Sequence, residues 1–273
     1  MQAKVNHLEG VLHHIDRLDL HEKYKQFTGS MGSSEKDKII RKLSKRERVL
    51  KDFFIYKNFF YDNTPTLICE GVTDPHHISS AIRILYKNQP DFFAFLPEEK
   101  CLVRKFRFFK WNGYTNRFFS TKGGTPDVKN IANRLKNTDK LSKKFKGLTV
   151  SKKIIYILDT DKSAKAARKN IQTIHGLEQT SNQLVLKKNN FYLVEISKDK
   201  DVEIEDLYPD SILSTEVDGK HLERDEVKMN NSLHYSKQVF VQKVIQGKNL
   251  KKDNFQGFTP LLYALSDIIN DRI

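Results

Sequence analysis

Cysteine is nearly absent from this chain of 273 residues, with only Cys69 and Cys101 present. Two thiols offer no disulfide framework and no zinc ligand set, and the nine histidines show no HxxxH or Cys/His spacing that would replace one. Long apolar runs are also missing. No stretch approaches the ~20 residues that a membrane helix needs. The opening MQAKVNHLEG lacks the charged start and apolar stretch of a secretory signal. These absences predict reduced thiols, no membrane association and a cytoplasmic location. Internal repeats and low-complexity tracts are absent as well.

What is scarce locally is acid. Between Lys100 and Lys153 the only acids are Asp127 and Asp139, set against sixteen Lys and Arg, so this segment carries a surplus equal to the whole chain's +14. The remainder balances. A local excess of this size is the electrostatic footprint of a phosphate-backbone binder, with Lys105, Arg107 and Lys110 as candidate contacts. Aromatics interleave with these cations (Phe106, Phe108, Phe109, Trp111, Tyr114, Phe118, Phe119). Their alternating spacing suits strand core better than base stacking. With 38% hydrophobic residues the chain has the means to bury a core.

Patterning predicts a short amphipathic helix over about Val5–Lys25, a Gly/Ser break at FTGSMGSS, and a basic helix from Ser34 to about Phe60. Strands and helices then alternate. Strands are expected at Thr66–Cys69, Lys153–Leu158, Gln183–Leu186 and Phe191–Ile196, with extended structure and a WNGY turn over Leu102–Phe119. Helices are expected at Asp74–Lys87, Thr125–Leu135, Ser163–Ile174, Tyr235–Ile245 and Thr259–Ile269. Such alternation implies an α/β fold with a parallel sheet flanked by helices. The organisation expected is a helical segment at 1–60, a sheet-bearing domain at 61–273, and helical extensions at both termini.

Two strand ends carry acids. TLICEGVTD delivers Glu70, Gly71 and Asp74, and KIIYILDTDKS delivers Asp159 and Asp161. In open α/β sheets ligand sites gather at the carboxyl ends of strands. Carboxylates at i and i+2 beyond a strand can converge on one hard cation, and Glu70 from a neighbouring strand would complete a cluster too costly to hold without one. This makes Mg²⁺ the expected cofactor, with Mn²⁺ as the substitute. Asp74 before Pro75 also reads as a helix cap. Lys122-Gly123-Gly124-Thr125 before a helix offers backbone N–H groups to a phosphate, or forms a plain turn. Lys162 beside Asp161 is a further phosphate contact or a solvated side chain.

EGVTD and LDTD, each behind an apolar strand, resemble the two signature motifs of the Toprim fold, which topoisomerases, primases and related nucleases share. The resemblance implies a Rossmann-like fold, a general acid/base role for Glu70, and Mg²⁺ on Asp159 and Asp161. In similar nucleases of the overcoming-lysogenization-defect type a further acid helps hold a second metal, a role that falls on Glu205 in VEIEDLYPD, with Asp206 beside it. LEGVLHHIDRLD, KRERVLKDFFIYKNFF, KGGTPDVKNIANRL, IEDLYPDSIL and HYSKQVFVQKVI together resemble the C-terminal half of retron reverse transcriptases that carry a fused Toprim domain. Residues 1–60 would then be the tail of the polymerase region. Two departures stand out: Val72 occupies a position where related retron sequences often carry lysine, and no Tyr-x-Asp-Asp polymerase motif occurs.

The implied function is a metal-dependent nuclease effector of a bacterial anti-phage system. Its partners would be RNA or DNA and the retron reverse transcriptase with its RNA–DNA hybrid, and self-association stays open. The alternative is a non-catalytic module that assembles with that hybrid. A topoisomerase would need a nucleophilic tyrosine on a separate domain, and a primase a zinc-binding region; neither is evident in the sequence.

Overall fold

The computed structural model of the chain describes residues 43–111, 113–119, 125–136, 143, 151–198, 200–225, 227–247 and 249–273. The chain divides into two compact units, 1–56 and 57–273. The described part of the first belongs to the opening of helix α1 (Lys45–Phe59). Ser44 starts that helix with a reciprocal cap: its Oγ accepts from the Glu47 amide (3.2 Å), and its own amide donates to Glu47 Oε2 (2.6 Å). Of the helix expected from Ser34 to about Phe60, residues 34–42 lie outside the described residues, and the described part is helical from Lys45. The expected helix at Val5–Lys25 lies outside the described residues.

The second unit is an α/β layer structure. Its elements are β1 (Thr66–Cys69), α2 (Asp74–Leu85), β2 (Phe93–Leu96), β3 (Cys101–Arg104), β4 (Arg107–Phe108), α3 (Gly113–Phe119), α4 (Thr125–Leu135), β5 (Ile154–Leu158) and α5 (Lys165–His175). There follow β6 (Glu178–Gln179), β7 (Val185–Lys188), β8 (Phe191–Glu195), a 3-10 turn at Ile204–Leu207, α6 (Asp210–Leu213), β9 (His221–Leu222) and β10 (His234–Tyr235). The last elements are α7 (Lys237–Val239), which runs on as π-helix (Phe240–Ile245), a second 3-10 segment (Lys252–Phe258) and α8 (Thr259–Ile269).

Six strands form one sheet in the order β4-β1-β5-β8-β7-β6. The first four are mutually parallel, while β7 and β6 run antiparallel at one edge. The parallel strands are nearly continuous apolar runs, as strands covered on both faces must be. Side chains alternate between faces. Leu67, Cys69, Ile155, Ile157, Tyr192 and Val194 join α2, the π-helix, the second 3-10 segment and α8 in the main core. On the other face Tyr156 donates or accepts at His175 Nε2 of α5 (3.1 Å), and α5 packs against α4.

One expected element differs. Leu102–Phe119 is not continuous β structure: it makes two short strands and then helix α3. Phe106, Phe109, Phe118 and Phe119 are all buried, so they serve the core. Adjacent Phe118 and Phe119 cannot both point inward from a strand, but both can from a helix.

Part of the basic segment also holds the fold. Lys152, fully buried, donates to Asn58 O (3.0 Å) and pairs with Asp62 (3.0 Å), which Arg107 also grips. Burial pushes the Asp62 carboxyl up, but the hydrogen bond and charge of Lys152 outweigh it and leave the group below its ordinary range. Lys153 donates to the carbonyls of Ile268 (2.6 Å) and Ile269 (3.2 Å), satisfying the end of α8 and opposing its negative dipole end. Lys105 donates to Asn270 Oδ1 (2.8 Å). Arg107 and Lys105, expected as phosphate contacts, are thus committed within the protein, whereas Lys110 is exposed.

Removing one member of the Lys152–Asp62 pair strands a charge out of water. Asp62→Ala is expected to cost about 3 kcal/mol in urea denaturation. Adding Lys152→Met to that variant should recover most of the loss, because no stranded ammonium then remains.

Candidate functional site

In the sheet order β4-β1-β5-β8, the chain leaves β1 towards β4 on one side and leaves β5 towards β8 on the other. The carboxyl ends of β1 and β5 therefore flank a topological switch point, the crevice where open α/β sheets bind ligands. Their register aligns Cys69 with Ile157, so Glu70 and Asp159 emerge side by side on the same edge of the sheet.

Asp74, the first residue of α2, does not cap that helix. Thr73 occupies the cap position, and the Asp74 carboxylate turns back to accept from the Gly71 amide (2.7 Å). A Cβ on residue 71 would meet Asp74 Oδ1 at 2.6 Å, so only glycine lets the two approach. The spacing Glu-Gly-x-x-Asp is thus a folded loop that presents two acids together.

Glu205 joins them from the first 3-10 turn, with a relative exposure of 1%. That turn is pinned from the C-terminal side: Gly257 lies against the Leu207 carbonyl, where a Cβ would come within 2.3 Å of the oxygen. Asp206, beside it, instead accepts from Arg224 (2.6 Å) and from the Glu203 amide (2.8 Å).

Electrostatics tie the four acids into one group. Burial, then the charges of Asp74, Glu70 and Glu205, push Asp159 up to about 9. Burial also raises Asp74, to about 7; the Gly71 amide opposes this, and Glu205 and Glu70 add to it. Lys237 of α7 moderates both, reaching Glu205 Oε2 (3.2 Å) and Glu203 Oε2 (3.0 Å). Burial works against its charge, but Glu205 and Glu203 lift its ammonium to about 12.

His77, one turn after Asp74 and wholly buried, backs the cluster. Its Nδ1 shares a hydrogen bond with Tyr208 Oη (3.0 Å), while Nε2 faces Glu205 Oε1 at 3.7 Å, beyond bonding distance. Burial, with help from Lys237 and His76, lowers His77 to about 3 and keeps it neutral. Glu205 Oε1 and His77 Nε2 are buried without a hydrogen-bond partner.

The other sequence-predicted residues stand apart. Asp161 accepts from the amides of Ser163 (3.2 Å) and Ala164 (2.9 Å), capping the turn that leads into α5 and holding its carboxyl below its ordinary range despite burial. It is not drawn into the acid group. Lys162 is exposed. Lys122, Gly123 and Gly124 lie outside the described residues. Sequence reasoning missed His77, Tyr208 and Lys237. The i+3 spacing of His77 from Asp74 on one helix was an available signal.

Among the described residues no group of three or more His, Cys, Asp or Glu already stands in metal-holding geometry. The donor set nevertheless suits a hard divalent cation: carboxylate oxygens only, two carboxyls raised by burial and then by their charged neighbours, and an unsatisfied buried Oε1 on Glu205. The carboxylates would have to turn towards one another to hold it. In comparisons with known proteins, the chain matches no family model and no solved structure.

The raised carboxyls fix a pH dependence. In its folded state Asp159 binds a proton up to about pH 9, whereas the unfolded chain releases it near 4, so folding takes up protons across that range and stability falls as pH rises. His77 and His175, both depressed by burial, give the opposite slope, but only below about 6.5. Between pH 6.5 and 9 in EDTA, the melting temperature should therefore fall with pH. Asp159→Asn should flatten that fall and raise the melting temperature near pH 8.5 by about 3 °C, on a scale of about 2–4 °C per kcal/mol.

Proposed function

We propose that this chain is a metal-dependent phosphodiesterase of the Toprim type that cleaves nucleic acid, serving as the effector of a retron anti-phage system. The observation that carries the reading is the meeting of Glu70, Asp74, Asp159 and Glu205 at the β1/β5 switch point, where burial and the neighbouring charges raise Asp159 and Asp74. The retron setting rests on the sequence resemblance alone.

Asp159, Glu70 and Glu205 are the residues that would hold Mg²⁺ or Mn²⁺. The ion would supply Lewis-acid polarisation of the phosphoryl oxygen. The remaining roles fall to the protein's own residues. Glu70, at the end of β1, would move a proton at the attacking or leaving oxygen, the role that the sequence resemblance implies. Asp74, clamped to the Gly71 amide, fixes the loop that carries Glu70. Lys237 offsets the local negative charge, so that an anionic phosphate can approach four acids. His77, itself hydrogen-bonded to Tyr208, lies behind Glu205. Of the cations between Lys100 and Lys153, Arg104, Lys110, Lys129, Arg134, Lys136 and Lys143 are exposed and available to a phosphate backbone.

Cleavage of labelled RNA and DNA with Mg²⁺, with Mn²⁺ and with EDTA tests the reading. Metal-dependent cleavage should fall at least ~10²-fold in Glu70→Gln and Asp159→Asn with folding intact. Asp161→Ala should instead cost about 1 kcal/mol of stability, the worth of a cap, and keep most of the activity. Full activity in a folded Glu70→Gln protein overturns the proposal. Metal-independent binding without cleavage leaves the assembly module as the function.

A further inference from the structure

Beside the acid group the second unit opens a cleft of about 1010 Å³, at the upper end of the ~300–1,000 Å³ usual for small-ligand pockets. Val72 and Pro75, which bracket Thr73 and Asp74, form part of its wall. Three cations from separate elements reach it: Arg83 of α2, Arg104 of β3 and Lys110 beyond β4. All three are exposed. Between them stand half-buried rings, Phe93, Phe108 and Trp111. Among the described residues that line the cleft none carries a carboxylate, although acids crowd the neighbouring switch point. Arg104 is partly steadied, with a long contact to Ser79 Oγ (3.4 Å) and its guanidinium over the Phe106 ring. The Trp111 indole N–H donates to the Cys69 carbonyl (3.0 Å), which fixes the ring at the end of β1, one residue before Glu70.

We propose that this cleft is the track for a single-stranded polynucleotide, with Arg83, Arg104 and Lys110 on its phosphates and Trp111 stacked on a base. The inference rests on the reading of the chain as acting on nucleic acid, and deepens it by naming strand state and path. The cations select a polyanion, and the absence of acid along the wall removes repulsion. The rings require flat faces, which an unpaired strand offers and a duplex keeps within its own stack. Because Trp111 abuts the residue before Glu70, a strand lying in the cleft passes the acids.

The chain's single tryptophan makes the test direct, since all indole emission comes from Trp111. Full-length protein in EDTA, where cleavage is silenced, is titrated with labelled oligothymidylate and oligouridylate of roughly 12 nucleotides and with a matched duplex, a length within the ~4–16 nucleotides that such tracks span. Stacking should quench Trp111 emission by more than half for the single strands, with the same midpoint as the anisotropy of the label, and the arms report whether ribose matters. Arg83→Gln/Arg104→Gln, at exposed positions, should keep the melting temperature, weaken binding at least tenfold and reduce the salt slope by about 1.4, two contacts at ~0.7 each. Anisotropy binding with unchanged Trp111 emission, unchanged affinity in the double variant, or equal quenching by duplex or by a mononucleotide overturns the track while leaving the nuclease reading standing. Failure of every oligonucleotide to bind at low salt overturns both.

Discussion

Everything at the candidate site depends on β1 and β5 pairing as parallel neighbours. The two strands are far apart in sequence, yet four aligned residue pairs, Thr66–Ile154 to Cys69–Ile157, lock them together at the middle of the sheet. Parallel pairing matters because it sends both chains out at the same edge; an antiparallel pair would have put Glu70 and Asp159 on opposite edges. The strands can pair this way because both are uninterrupted apolar runs, buried on both faces by α2 and α8 on one side and by α5 on the other. The pairing is also braced at its open end, where Lys152 and Lys153 enter β5: one ties the strand to Asp62 and Asn58, the other to the end of α8.

With the strands fixed, charge becomes the governing quantity. Four acids at one place would repel one another apart in water, but here burial makes the repulsion stronger and the scaffold leaves little room to relieve it. The protein answers with Lys237, with the Gly71 amide on Asp74, and by keeping protons on Asp159 and Asp74 above their ordinary range. These buried, mutually repelling carboxyls cost stability, which marks the crevice as a candidate site.

Much of this layout was legible in the sequence because it rests on short-range signals. TLIC and IIYIL are apolar strands, DPHH opens a helix through proline, and TPLLYALSDII forms the expected Thr259–Ile269 helix. That Glu70, Asp74 and Asp159 lie near one another was legible because the carboxyl end of a buried strand presents the residues just beyond it at the sheet edge. The antiparallel edge was not legible, since β6 is only two residues long and has no period to read. Leu102–Phe119 misled because aromatic spacing mimics alternation until Phe118 and Phe119 fall side by side. Asp161 and Asp159 look equivalent as Asp-x-Asp, and only the three-dimensional turn shows that one faces the switch point while the other satisfies the amides ahead of α5. Lys105 and Arg107 looked like surface charge because their partners, Asn270 and Asp62, lie far away in sequence. His77, Tyr208 and Lys237 escaped for the same reason: each matters only through Glu205, which no local pattern links to them.

The first 3-10 turn has a bearing on how the protein is made. Glu205 is held where it is by Gly257 against Leu207 and by the aromatic packing of Tyr208 on Phe255 and Phe258, all contributed after the other three acids. A ribosome delivers Glu70, Asp74 and Asp159 while the segments that anchor the fourth acid and bring in Lys237 are still untranslated. Until those segments are made, the charge arrangement at the sheet edge is incomplete. The four-acid arrangement is therefore complete only after the second 3-10 segment, which follows every one of those acids in the chain, has packed against the first.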